Sequence, residues 1–297
     1  MSGFGIPYMW SKRGIASDII HFIRKENPKA KYLYDIFWGG GGSITFEALQ
    51  QGFEKVYYVD LDKWMCNLME QIKKWIPKDW NKRVSREEFN ELINKDDAYS
   101  VAMSICWSFW NNRRNYLYWE DREEQKKAAH DAVVNNNYEW LKKLWVDIKL
   151  EWEDIEERRL QIKKVFRDGN SNLQNLQALE HLERLQHLEI INSNYKSVKI
   201  QTPLDETVVY CDPPYRWTWT YKIQTSDFDY KALDKWFREL PCMAYMSEEN
   251  PHKIALTMQK RRLFKMDDPA TVFEVLYCNG FKKAEKQMVQ SELFSFS

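Results

Sequence analysis

The sequence predicts an α/β protein that carries a mainly helical insertion. Three observations lead there. Short β-branched and aromatic runs, each ending at a turn and followed by helical sequence, occur near both ends of the chain. The first of them enters Trp38-Gly39-Gly40-Gly41-Gly42-Ser43, a glycine turn that opens a helix. From about Trp75 to Asn170 these units give way to long charged helical stretches, which places an insertion between strands two and four.

Pro7-Tyr8-Met9-Trp10-Ser11-Lys12-Arg13 precedes a first helix expected from roughly Ile15 to Lys25. An aromatic and a lysine four apart beside a helix start suit a cofactor carboxylate, although a disordered basic terminus explains the segment better when it is taken alone. Tyr32 to Phe37 reads as the first strand, and Ile44 to Gln51 as the helix after the glycine turn. The turn lacks the Lys-Ser/Thr ending of a phosphate-binding loop, so nucleoside binding is expected over triphosphate binding. Lys55 to Val59 is the second strand and ends in Asp60-Leu61-Asp62. A carboxylate about twenty positions beyond the glycine turn suits ribose hydroxyls, and Asp60 takes that role. Asp62 fits better as the N-cap of a helix from Lys63.

Within the insertion, Glu123 to Ala132 and Tyr138 to Phe166 read as helical, and the charge-rich face from Tyr138 onward as solvated. Trp107 to Tyr116 interleaves Arg, Asn and aromatic residues. Asn111, Asn112, Arg113, Arg114 and Tyr116 suit base edges, phosphates and stacking; a polar loop capping two helices is the structural alternative. Leu173, Leu176, Leu179, Leu182, Leu185 and Leu188 recur every third residue. On a helix that spacing drifts by about 60° per step, so it predicts a packed connector, with leucines buried on several sides or part of it 3₁₀, rather than one stripe.

Leu188 to Ile191 is the next strand, with Asn192-Ser193-Asn194-Tyr195 at its end, and Thr207 to Cys211 the one after. Pro213 and Pro214 cannot continue a sheet ladder, so that strand stops at Asp212. Asp212 therefore stands at a carboxyl strand end, where open α/β sheets place their ligands. Asp212-Pro213-Pro214-Tyr215 presents a carboxylate, two fixed carbonyls and a ring. The amine of adenine is a poor nucleophile because its lone pair is delocalised. Acceptors at its two N–H bonds, Asp212 and the Pro213 carbonyl, draw the nitrogen towards tetrahedral geometry, and Tyr215 can stack on a flipped base. An ordinary Pro-Pro turn with a capping Asp weighs about equally for a lone four-residue match. Arg216 to Asp229 is a loop long enough to close over a substrate, Leu233 to Leu240 a helix, and Cys242 to Ser247 a strand that runs into Glu248-Glu249-Asn250. Val272 to Tyr277 and Lys286 to Phe294 would form a terminal antiparallel pair through Asn279-Gly280.

The 297 residues suffice for a core domain with a sizeable insertion, and 44% are apolar. Charged residues reach 30% but cancel to zero, so any nucleic-acid surface must come from local clustering. The five cysteines contain no CxxC pair, which points to thiols in a reducing compartment and against zinc. No apolar targeting core or long apolar span is visible, and a soluble intracellular protein is expected. Fourteen tryptophans against ten glycines is an unusual ratio.

Five segments in collinear order resemble the Dam-like DNA adenine N6-methyltransferases, especially phage and mobile-element members. They are Tyr8-Met9-Trp10-Ser11-Lys12, Asp35 to Gly41, Val59-Asp60-Leu61, Cys211 to Tyr215, and Ser247 to Asn250. The resemblance implies S-adenosyl-L-methionine as cofactor, double-stranded DNA as partner, no metal, and action in the cytoplasm of a prokaryotic or phage-infected cell, with a monomer favoured. It implies a Rossmann-like mixed sheet of seven strands with helices on both faces. Residues 1–75 and 186–297 would form the split catalytic domain, and residues 76–185 the helical target-recognition insertion. Tyr8, Lys12, Asp60 and Asp212 would contact the cofactor, Phe37, Gly39 and Gly41 would shape its pocket, and Asp212, Pro213, Pro214 and Tyr215 would be catalytic. No cysteine nucleophile is implied.

Relatives usually carry small residues, often Gly, where this chain has Trp10, Trp38, Trp110, Trp119, Trp217 and Trp219. Two explanations stay open: aromatic residues that stack on bases, and UGA codons read as Gly in the source but translated as Trp. UGG codons at these positions would exclude the second. The rival functions are a DNA-binding homologue with transfer lost, and an amino-methyltransferase acting on RNA or a protein amide.

Overall fold

The computed structural model describes residues 12–37, 42–74, 82–109, 113–118, 120–143, 154–166, 184–214, 228–249, 259–265 and 273–280. Its strands are β1 (Tyr32–Ile36), β2 (Lys55–Asp60), β3 (Leu188–Asn192), β4 (Thr207–Cys211), β5 (Met243–Glu249), β6 (Gln259–Lys265) and β7 (Phe273–Cys278). They form one sheet in the order β3-β2-β1-β4-β5-β7-β6. The first five in that order are parallel, and β7 runs antiparallel between β5 and β6. The expected mixed seven-stranded α/β sheet is thus present.

The central strands read as unbroken apolar runs because both of their faces are covered. All five residues of β4 are buried. On one face Tyr34, Ile36, Val209, Cys211, Ala244 and Met246 pack with Leu233 and Phe237 of the last described helix, α9 (Tyr230–Glu239). On the other face Tyr245 meets the first helix, α1 (Ala16–Glu26). Phe22 packs edge-on at 6.2 Å, and the Asn27 amide just past the helix donates to the Tyr245 hydroxyl at 2.9 Å.

After β1 comes α2 (Ser43–Gln50), buried at six of its eight positions. It is entered through Gly42, at φ 70°, where a Cβ would stand 3.1 Å from the Phe46 ring and 3.3 Å from the Met69 methyl. Both the left-handed backbone and the close approach demand glycine. The helix α3 (Lys63–Lys74) follows β2.

The chain divides into two compact units. One comprises residues 1–6, 10–73 and 182–297 and holds the sheet; the other comprises residues 7–9 and 74–181. The second is a helical excursion between β2 and β3. Its helices are α4 (Arg86–Leu92), α5 (Ala98–Cys106), α6 (Glu123–Val134), α7 (Glu139–Lys143) and α8 (Ile155–Phe166). Ser85 and Asp97 cap α4 and α5 by accepting from Glu88 N and Ser100 N. Ala128, Ala129, Ala132, Val133, Leu141 and Ile162 form a small core, and the buried Arg158 donates to the Val133 carbonyl at 2.8 Å, closing the end of α6.

The structure corrects two expectations. Tyr138 to Phe166 is not one helix: the Asp154 carboxylate accepts from Glu156 N and Glu157 N at 2.7 and 3.1 Å, a fresh N-terminus for α8. The last described strand, β7, has β5 and β6 as its two neighbours and not a later segment, and Lys286 to Phe294 lies outside the described residues. Asn279 is no free hairpin turn either. It accepts from Ala244 N and donates to the Cys242 carbonyl, tying the end of β7 to the start of β5. Of the leucine series, Leu185 sits in a 3₁₀ turn and Leu188 opens β3; the earlier members lie outside the described residues. All five cysteines are buried thiols. No helix among the described residues is long and apolar enough to cross a membrane.

Candidate active site

The register of the sheet decides which side chains meet. Cys211 on β4 pairs with Ile36 on β1, which pairs with Val59 on β2. The residues leaving these strands, Asp212, Phe37 and Asp60, therefore emerge side by side at the carboxyl edge. Asp212 N donates to the Ile36 carbonyl at 3.1 Å, so Asp212 is fixed beside β1 before its side chain does anything. Pro213 is buried and Pro214 half-buried.

Lys12 comes to the same place from the 3₁₀ turn that leads into α1. Its Nζ lies 3.2 Å from Asp212 Oδ1, and each side chain is 3% exposed. Charges so deeply buried persist only as partners. Lys12 thus holds Asp212 ionised and oriented.

Asp35, the penultimate residue of β1, is 7% exposed. Burial pushes its carboxyl up to about 7. The Thr45 hydroxyl, donating to Oδ2 at 2.6 Å, opposes that rise, while the charges of Asp212 and Asp60 add to it. Burial likewise raises the Cys211 thiol well above its ordinary range, so Cys211 is a packing residue and no nucleophile.

Phe37 turns away from β1 with φ at 67°, a left-handed conformation that a bulky residue adopts only under constraint. The constraint is aromatic: its ring lies 4.8 Å from that of Tyr195 and 5.9 Å from that of Phe228. Asp62 takes the capping role that the sequence suggests. Asp62 Oδ1 accepts from Trp64 N at 2.8 Å and caps α3. Asp60 is half-buried, and its carbonyl accepts from Ser193 N and from the Asn192 amide at 2.9 and 3.0 Å.

Of the residues expected at the site, the sheet brings Lys12, Phe37, Asp60, Asp212, Pro213 and Pro214 to one edge. Tyr8, Gly39, Gly41, Tyr215 and the six tryptophans at issue lie outside the described residues. Sequence reasoning gave no role to Asp35, Thr45 or Asn192. A charge within the apolar run Tyr32 to Ile36 was the available signal for Asp35; nothing local marks the other two.

In the insertion, Asn111 and Asn112 lie outside the described residues. Ser108 and Tyr116 form an isolated antiparallel bridge. Arg113, at φ 57°, donates from Nε to Ser104 Oγ at 2.9 Å and braces this loop on α5. Tyr116 corrects the expectation of a base-stacking ring. It is 8% exposed, its hydroxyl donates to the Val84 carbonyl at 2.7 Å, and its ring is stacked with Trp107. Arg114 is exposed.

Three carboxylates and one ammonium at a strand edge fit a ligand that is cationic at one end and carries hydroxyls at the other. Asp35 and Asp212 would face the cation, and Asp60 the hydroxyls. No group of His, Cys, Asp and Glu among the described residues could hold a metal ion.

Comparison with known proteins gives the family. No curated protein matches the chain. Among solved structures it is similar to the "putative methylase" HI0767 from Haemophilus influenzae, at 13% identity, covering 89% of this chain and 87% of that one, with a TM-score of 0.34. It is also similar to the "putative methyltransferase" yhhF from Escherichia coli, at 10% identity, covering 93% and 90%, with a TM-score of 0.36. A family model matches residues 8–270, nearly the whole span from the first motif to the sheet's last hairpin. The chain belongs to the D12 class N6 adenine-specific DNA methyltransferases.

Proposed function

We propose that S-adenosyl-L-methionine is the methyl donor and that the acceptor is the exocyclic amine of an adenine turned out of duplex DNA, with the chemistry at the joined ends of β4, β1 and β2. The observation that carries this reading is the buried Lys12–Asp212 pair beside Asp35 and Phe37. The cofactor supplies a methyl made electrophilic by a sulfonium. Asp35 and Asp212 offer that cation the negative charge it needs, Asp60 accepts from ribose hydroxyls, and Lys12 meets the amino-acid carboxylate.

Asp212 and the Pro213 carbonyl accept the two N–H bonds of the adenine amine, which frees its lone pair for attack. Lys12 keeps Asp212 an acceptor by keeping it ionised. The surplus proton goes to water. Rate then comes from positioning and from exclusion of water, without a covalent enzyme intermediate. Residues 1–75 and 186–297 do this chemistry, residues 76–185 select the target, and the setting is the cytoplasm, where the DNA is.

The test is incubation with labelled S-adenosyl-L-methionine and unmethylated duplex DNA, followed by nucleoside analysis. N6-methyladenine is expected. Label on RNA or protein with none on DNA would replace the reading with one of its rivals.

A further inference from the structure

Thr45, in the first turn of α2, is fully buried. A buried threonine in a helix ordinarily returns its hydroxyl to a carbonyl one turn back. Here the hydroxyl reaches another element and donates to Asp35 Oδ2 on β1 at 2.6 Å. The Thr45 backbone N–H bonds the same carboxyl. The start of α2 explains why. Its N-cap is Gly42, which has no side chain to accept from the N–H groups of the first turn. The Asp35 carboxyl accepts instead, from a neighbouring strand, and the helix dipole favours its negative charge there. The bond joins two residues that flank the glycine turn, ten positions apart in the sequence.

Other neighbours work against that charge. Burial favours the neutral acid, and the carboxylates of Asp212 just past β4 and Asp60 at the end of β2 add repulsion. Lys12 is engaged with Asp212. By register Asp35 stands between Tyr58 on β2 and Tyr210 on β4. Tyr58 and Cys211 stay protonated, because burial holds each well above its ordinary range. The Tyr210 hydroxyl is bonded to that of Ser247 at 2.6 Å. Thr45 pulls the other way twice, through its hydroxyl and through its N–H.

We propose that Thr45 is a positioning residue of the cofactor site: its hydroxyl holds the Asp35 carboxylate at the start of α2, charged and in place for the cationic end of the methyl donor. This role rests on the S-adenosyl-L-methionine reading above and deepens it. Thr45 acts through Asp35 rather than on the donor itself, so its effect is confined to conditions in which Asp35 can lose its charge.

The test is S-adenosyl-L-methionine affinity of the full chain as a function of pH, for the parent, Thr45→Val and Thr45→Ser. Valine keeps the branched shape and loses the hydroxyl, so Asp35 should ionise about one pH unit higher. Affinity should then be about tenfold weaker than the parent's near about pH 6, and within about twofold of it near about pH 9, where Asp35 is ionised in both. Thr45→Ser should follow the parent. In an Asp35→Asn background, Thr45→Val should change affinity by less than about twofold throughout. The carboxyl carbon resonance of Asp35, followed without cofactor, should show the same upward shift in Thr45→Val and in Thr45→Ala. A folded Thr45→Val protein whose affinity is unchanged, or is weakened equally across the pH range or in the Asp35→Asn background, would reduce Thr45 to packing. That result would overturn the role and leave the methyltransferase reading intact. So would an Asp35 resonance that titrates as in the parent. A parent protein that binds no S-adenosyl-L-methionine would overturn both.

Discussion

At the strand edge, Lys12 and Asp212 are each 3% exposed and held 3.2 Å apart. In the helical unit, Lys82 and Glu88 pair at 60% and 31% exposure, and Lys142 and Glu139 at 68% and 70%. The strand edge withdraws its ion pair from water, whereas these two pairs of the insertion stay in it. A withdrawn charge is bound up with stability and with the polarity of the site around it. A solvated pair adds little to stability, so its value lies in what it meets from outside. The cores differ as well: tyrosines, Phe237 and β-branched residues are prominent in the sheet cluster, while half of the six buried residues in the core of α6, α7 and α8 are alanine.

Substitutions can break this contrast. The largest effect is expected at Lys12→Met, which leaves Asp212 buried without its cation and should cost about 3–5 kcal/mol in urea unfolding. Lys82→Met should stay within about 0.5 kcal/mol. Equal costs would mean that burial does not separate the two pairs. Next, Phe237→Ala should cost about 4 kcal/mol and Ile162→Ala about 2 kcal/mol, because small neighbours let a cavity collapse; the reverse order would contradict the account of the cores. Gly42→Ala should cost about 1–2 kcal/mol from its left-handed backbone and from contacts with Phe46 and Met69, readable as a lowered melting temperature.

The subtlest effect sharpens the electrostatics. Asp35 titrates at about 7 in the folded protein and near 3.9 when unfolded. The folded state therefore holds the proton more tightly, and this contribution to stability is full below about pH 4 and is lost as pH rises towards 7. Asp35→Asn should flatten the dependence of melting temperature on pH across that window. An unchanged slope would show that Asp35 is not the group responsible. Because the ionised form is the one that suits a cation, affinity for S-adenosyl-L-methionine should rise with pH through 7 in the parent and not in the variant.

Much of the sheet was legible because its central strands are parallel and covered on both faces, so β1, β2 and β4 read as apolar runs and Asp212 as a strand end. The same rule hid β6. Its sequence carries Lys260, Arg261, Arg262 and Lys265, and a charged edge strand guards against aggregation while showing no apolar run. Asp154 looked like one more charge in a helical stretch, since a cap differs from a surface residue only by where the chain bends. Tyr116 was misread because interleaved Arg, Asn and aromatics mark a base-reading loop and a braced turn alike; only the buried hydroxyl separates them. Asp35 stood inside a quoted motif, but its importance comes from Thr45 and Asp212, ten and 177 positions away in the sequence.

The most direct measurement is the single-turnover rate of methyl transfer to duplex DNA by Asp212→Asn, with cofactor and DNA affinities determined on the same preparation and Glu139→Gln as the solvated control. Loss of the carboxylate charge, with one oxygen exchanged for an amide donor, should slow transfer about 100- to 1,000-fold while DNA affinity and folded secondary structure persist, and Glu139→Gln should match the parent. A folded Asp212→Asn protein that binds DNA and still transfers within tenfold of the parent rate would contradict the central claim that the buried Asp212 at the end of β4 activates the adenine amine.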